Sequence, residues 1–153
     1  MADFALARIG VTTVIDDNAT LADAARAAGD YDNDTNKASF CDAFLTVQFD
    51  AGPPTAGDKV AELYLIYGDG AGTEVFPDGG DAAIGTDDTP QASALVGVFR
   101  SVNPSTTVDE VLQIKDIPLR VGGTNRFVLL NTSGQTMDTT WQMDIATYKW
   151  TSA

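Results

Sequence analysis

From residue 40 to residue 49 the chain alternates apolar and polar side chains with a period of two. Phe40-Cys-Asp-Ala-Phe-Leu-Thr-Val-Gln-Phe49 sets Cys41, Ala43, Leu45, Val47 and Phe49 on one side, with Asp42, Thr46 and Gln48 on the other. An extended strand with one buried face has that period, whereas a helix repeats at three and four. Gly52-Pro-Pro-Thr-Ala-Gly57 then breaks the chain, and residues 59–67 resume the alternation with Ala61, Leu63, Leu65 and Tyr67 on one face. Gly68-Asp-Gly-Ala-Gly72 ends that run as a strong turn signal.

The same grammar continues. Residues 94–102 alternate through Ala94, Val96, Val98 and Val102, and residues 108–117 through Val108, Leu112 and Ile114. Arg126 to Asn131 is short and almost wholly apolar, as expected of a strand buried on both faces. Thr139 to Trp150 directs Trp141, Met143 and Ile145 one way and Gln142 and Asp144 the other. Ile9 to Ile15 is β-branched and reads as a strand, while the Ala-rich segment 21–28 has the propensity of a two-turn helix. Composition agrees with strands and tight turns: 18 Thr, 14 Gly and 19 Asp stand against 3 Glu and 4 Lys. Seven or eight strands at this spacing, with no βαβ alternation, predict an all-β antiparallel β-sandwich, with a jelly roll of about eight strands as the leading topology. A chain of 153 residues can bury one sizeable core, so 1–153 is expected to form a single domain.

Several functions are excluded by absence. There is no His, so neither a Ser-His-Asp or Cys-His nucleophile system nor a His-ligated metal can be built. Cys41 is the only cysteine, so no intrachain disulfide forms, and its place on an apolar strand face makes it a small core residue. A formal charge of −13 opposes nucleic acid and anionic membrane as partners, since both need a basic footprint. No run of eighteen apolar residues occurs, and Met1–Arg8 lacks the pattern of a secretion signal; the expected place of synthesis is a cytoplasm. Among 22 carboxylates some pair always lies close, so pairing carries no catalytic signal. Gly68–Gly72 is not followed by the helix and lysine of a phosphate loop. No enzyme, cofactor or metal site is expected.

Two groups of residues stand out as binding candidates. Phe40 and Phe44 lie on the even, supposedly polar face of 40–49, and Val60, Tyr64 and Ile66 on the corresponding face of 59–67. Joined by so short a turn, the two segments are expected to lie together as a hairpin. Their second faces would merge into one apolar patch, a site of self-association. The competing expectation is that residues 68–93 fold over it. The second group is Tyr148 and Trp150, which fall in the register opposite the core residue Trp141 and could stack on a sugar or anchor a protein interface.

The order of several segments resembles small β-sandwich virion proteins of tailed bacteriophages, the capsid decoration or cement proteins. The resemblance spans residues 9–150. Its segments are Ala24-Ala-Arg-Ala-Ala28 followed by Asp32-Asn33, then Pro54-Thr-Ala-Gly57, Val75-Phe-Pro-Asp-Gly79 and Ala92-Ser-Ala-Leu-Val-Gly-Val-Phe99. Ile117-Pro-Leu-Arg-Val-Gly122 follows, leading into Arg126-Phe-Val-Leu-Leu-Asn131 and Ser133-Gly134. It implies that the Ala-rich segment is a strand, and that the protein decorates and stabilises a capsid. Its implied partners are the major capsid protein and further copies of itself, as a homotrimer on the virion surface. The alternative is a carbohydrate-binding sandwich of a head or tail fibre, with Tyr148 and Trp150 as its platform.

Asp30-Tyr-Asp-Asn-Asp-Thr-Asn36 spaces its oxygens like a calcium loop, but Thr35 stands where such a loop needs Gly and Cys41 where it needs a bidentate Glu. An Asx-rich turn is the expected structure. The thermal midpoint should therefore not move when calcium is added or chelated; a large, chelator-reversible rise would contradict this reading.

Overall fold

A computed structural model describes residues 4–16, 18–55, 57–67, 94–101 and 108–152. Eight strands run through them: β1 (Phe4–Ile15), β2 (Arg26–Asp32), β3 (Phe40–Val47), β4 (Lys59–Tyr67), β5 (Leu95–Arg100), β6 (Glu110–Pro118), β7 (Thr124–Asn131) and β8 (Gln142–Ser152). They form two four-stranded antiparallel sheets, ordered β1-β8-β3-β6 and β2-β7-β4-β5. Within them β1 pairs with β8, β2 with β7, β3 with β6 and β4 with β5. This is a long hairpin closed at β4–β5 and rolled so that successive rungs fall in alternate sheets, which is the jelly roll.

The alternation read from the sequence explains what faces inward. Cys41, Ala43, Leu45 and Val47 of β3 meet Ala61, Leu63 and Leu65 of β4, with Phe99, Phe127, Leu129, Met143 and Ile145 completing the middle of the sandwich. Each Leu, Ile or Phe so buried contributes about 1.5–3 kcal/mol. Trp141 lies in the core just ahead of β8 and donates its indole N–H to the Ala19 carbonyl at 2.7 Å. Met137 bridges Leu21 and Phe49, closing that end of the core.

The core ends are tied by buried asparagines. Asn33 donates to the carbonyls of Ala38 and Arg120, both at 2.8 Å, and accepts from the Ala38 amide at 2.7 Å. Asn125 accepts from the Arg120 amide at 2.8 Å. At the opposite end Asn131 donates to Leu21 and Gln135 and accepts from the Ser133 amide and hydroxyl. These side chains satisfy loop backbone groups that burial removes from water.

Four expectations need correction. The strand expected at 21–28 starts only at Arg26, because Ala24 turns the chain at φ 61; β2 instead extends through Asp30, Tyr31 and Asp32. In β6 a bulge at Lys115 and Asp116, with Asp116 at φ 58, breaks the alternation and brings Ile117 into the core, while Val108, expected inward, lies ahead of the strand and is exposed. The largest correction concerns β3 and β4, which are not a hairpin. The Gly52–Gly57 connection carries the chain from one sheet to the other, because the roll pairs β3 with β6 and β8. Tyr67, assigned inward, is exposed and donates its hydroxyl to the Pro118 carbonyl at 3.0 Å.

Glycine permits one close approach between the sheets. A Cβ on Gly29 of β2 would lie 1.9 Å from the Val14 carbonyl oxygen of β1. Backbone cannot yield as a side-chain tip can, so Gly29→Ala should destabilise the protein by at least about 1–3 kcal/mol. Urea unfolding checks this: a midpoint equal to wild type would contradict the assigned approach of β1 to β2.

Candidate functional site

The outer face of the β1-β8-β3-β6 sheet is built from the phase of each strand that the core does not use. From β3 it receives Phe40, Asp42, Phe44 and Thr46, and from β8 Gln142, Asp144, Tyr148 and Trp150. Register then decides what meets. Phe40 lies opposite Tyr148, and Trp150 opposite Leu6 of β1. The Phe40 and Tyr148 rings stack at 5.6 Å between centroids and 19° between planes. Trp150 leans over Phe40 at 6.1 Å and 56°. The three rings make a ledge at one end of the sheet, bordered by Leu6, Arg8 and Pro118.

This face is open. Trp150 is 58 % exposed, Leu6 48 %, Val11 52 % and Val111 62 %, and all four lie on it. Between the apolar groups runs a polar seam. Asp42 accepts from the Asp116 amide at 3.0 Å and so pins the β6 bulge. Thr13 donates to Asp144 at 2.6 Å, and Gln142 donates to the same carboxylate at 2.9 Å. The face thus sets rings and aliphatic groups beside hydrogen-bonding side chains.

The five residues expected to form one self-association patch are divided. Phe40 and Phe44 lie half-buried on the outer face of the first sheet, whereas Val60, Tyr64 and Ile66 belong to β4 in the second. Val60 packs in the main core. Tyr64 and Ile66 form a second buried cluster with Val128, against which Ala94 and Leu130 pack. The single contiguous patch is therefore absent, for the topological reason that β3 and β4 do not pair. Residues 68–93, the expected cover, lie outside the described residues. What sequence reading missed is that Phe40 belongs with Tyr148 and Trp150. Its even register was visible, but only the pairing of β3 with β8 brings it there.

The acidic segment 30–36 sends its side chains in different directions. Asp30 holds Arg126 in a two-point ion pair at 2.9 and 3.1 Å. Asp32 accepts from the Asp34 amide at 2.9 Å as an Asx turn, Asn33 is the buried loop tie, and Asn36 donates to the Tyr31 hydroxyl at 3.1 Å.

Four groups titrate away from their ordinary ranges; one is the Tyr67 phenol, which partial burial pushes up, with Cys41 adding to it. Hydrogen bonds from Lys59, and then from Tyr64, hold the Glu62 carboxyl below its usual value. Burial, helped by the bond to Glu62, pushes the Tyr64 phenol up to about 12. Burial also pushes the Cys41 thiol up to about 12, with the Asp42 charge adding to it.

No protein-family model matches the chain, and comparison with curated proteins finds no match. Among solved structures it is similar to the CBM36-1 domain of a multidomain xylanase from the hindgut metagenome of Trinervitermes trinervoides. Identity is 14 %, coverage 99 % of this chain and 98 % of that one, and the TM-score 0.40. It is also similar to a carbohydrate-binding module CBM36 in complex with calcium and xylotriose, at 12 % identity, 97 % and 94 % coverage and a TM-score of 0.37. Likenesses this distant carry no argument about ligand, and they lend the virion expectation no support. The class defined by the structure itself is an all-β jelly roll.

The raised acids set an alkaline limit on the fold. Cys41 and Tyr64, the two raised furthest, are neutral in the folded state, so their contribution is complete below the unfolded values, near 9.0 for Cys41 and 10.0 for Tyr64, and is lost as pH rises toward about 12. The urea midpoint should fall steadily across that window, and Cys41→Ala should flatten its first part. A midpoint independent of pH over this range would refute the assignment.

Proposed function

We propose that this protein is a non-catalytic docking module that binds a protein surface through the outer face of the β1-β8-β3-β6 sheet. The carrying observation is the open ledge of Phe40, Tyr148 and Trp150 continued by exposed aliphatic side chains, Leu6 and Val11 beside it and Val111 at the far edge. Aromatic anchors with exposed aliphatic neighbours suit a protein partner. The order of segments resembling phage decoration proteins supports a capsid as that surface, with the major capsid protein as the partner and the virion as the location. Acidity and the lack of His fit a stable structural part with no chemistry of its own.

A carbohydrate-binding reading stands second, favoured by the rings themselves: Trp150 and Tyr148 present aromatic faces on an open sheet. Two arms separate the readings. Purified protein should co-sediment with capsids lacking it, and Trp150→Ala should weaken that binding by about tenfold or more while the circular dichroism spectrum is unchanged. Xylotriose and a glycan array form the second arm. Saturable glycan binding lost in Trp150→Ala, without capsid binding, would replace the first reading by the second.

A further inference from the structure

Four strands end the two sheets, and they are not alike. Proteins blunt such edges with charge, proline, bulges or brevity, because an edge presents unpaired backbone donors and acceptors to any passing strand. β6 carries Glu110, Lys115, Asp116 and Pro118 together with its bulge. β5 has six residues and ends at Arg100, paired with Asp58 at 2.7 Å. β2 carries Asp30 and Asp32. β1 has twelve residues, no acid, no proline and a single charge, Arg8; its irregularities are one extra residue at Ile9 and one at Val14, which leave Gly10 to Thr13 in regular register. Its end at Val14 packs on Gly29 of β2, but from residue 4 to residue 13 no strand lies on the side away from β8 among the described residues.

We propose that two copies of the chain pair β1 against β1, antiparallel about a twofold axis, and so extend the first sheet to eight strands. The faces of β1 select the register. An extra residue at Ile9 lets Arg8, opposite Tyr148, and Val11, opposite Ala146, both point outward, as does Thr13, opposite Asp144. In an antiparallel pair, opposed side chains share a face. Setting Val11 against Val11 of the second copy places Gly10 against Thr12 and, with Ile9 bulged, Arg8 against Thr13. The Thr13 hydroxyl is bonded to Asp144 at 2.6 Å. Adjacent strands lie about 4.8 Å apart, so an extended Arg8 side chain crosses toward that carboxylate. The only charge on the edge thus meets an acid of the second copy, twice per dimer by symmetry.

Charge also explains why a second copy fits this edge. A chain of net charge −13 repels itself over most of its surface, but β1 brings no acid to the contact. Arg8 is in none of the ion pairs found among the described residues, so it is available to the second copy. The aromatic ledges of both copies then lie on one continuous outer face.

Sedimentation velocity at micromolar concentration tests the pairing with Arg8→Asp, Asp144→Arg and the two combined. Wild type should sediment as a dimer. Each single exchange should weaken association by about tenfold or more, and the combined exchange should restore it, since the charges then meet in reverse. Circular dichroism and thermal midpoints report whether each variant keeps its fold. A monomeric wild type overturns the proposal. So does a dimer indifferent to both single exchanges, or a folded double variant that stays monomeric. A dimer broken by Trp150→Ala but not by Arg8→Asp would put the contact on the outer face and equally overturn it.

Discussion

Cys41, Ala43, Leu45 and Val47 leave no water on the inward side of β3, and that strand is hydrogen-bonded along both edges, to β8 and to β6. A slip of one residue would carry all four side chains out of the core and bring Asp42, Phe44 and Thr46 into it. The register of the whole first sheet therefore hangs on this one strand. Phe40 stands across from Tyr148 only because the buried residues beyond it permit no other setting. The outer face is thus a by-product of the inner one: apolar residues packed in the dark place rings and carboxylates in the light.

The second sheet is anchored differently. Its central strand β7 is buried on both sides from Asn125 to Leu129, with Phe127 and Leu129 in the main core and Val128 in the second cluster. Arg126 is buried within this strand and is carried by its two-point bond to Asp30. A buried guanidinium costs heavily unless so paired, which ties β2 to β7 more selectively than the small side chains Ala27, Ala28 and Gly29 can. Where the sheets open at their ends, Asn33, Asn125 and Asn131 replace apolar packing with directed hydrogen bonds. Loops of Gly, Asp and Ser, which have little to bury, are held in place by them.

The two sheets accordingly play unequal parts. One has both faces buried over much of its width and serves the fold. The other has an open face on which apolar and charged side chains are sorted by strand and row, and a long edge nearly free of charge. On the docking reading proposed above, affinity would rest on the few anchors that lose the most water, above all Trp150, with the polar seam of Asp42 and Asp144 setting orientation.

By itself the sequence determined the fold class, most strand positions and, along most of their length, the side of the strands that faces the core. All three are local: period-two alternation and Gly, Pro and Asp punctuation are written within a few residues of each other. It also showed that Tyr148 and Trp150 point away from Trp141. Only the tertiary structure decided which strands are neighbours. A short turn after residue 49 looks the same whether it closes a hairpin or crosses between sheets, so Phe44 and Tyr64 seemed partners and are not. The bulge at Asp116 and the left-handed turn at Ala24 were hidden for a related reason: each is held by contacts distant in the chain, Asp42 for the one and Asn131 for the other. Alternation reports burial, which each residue experiences alone. Pairing is a property of two segments, and it is settled by the closure of the whole roll.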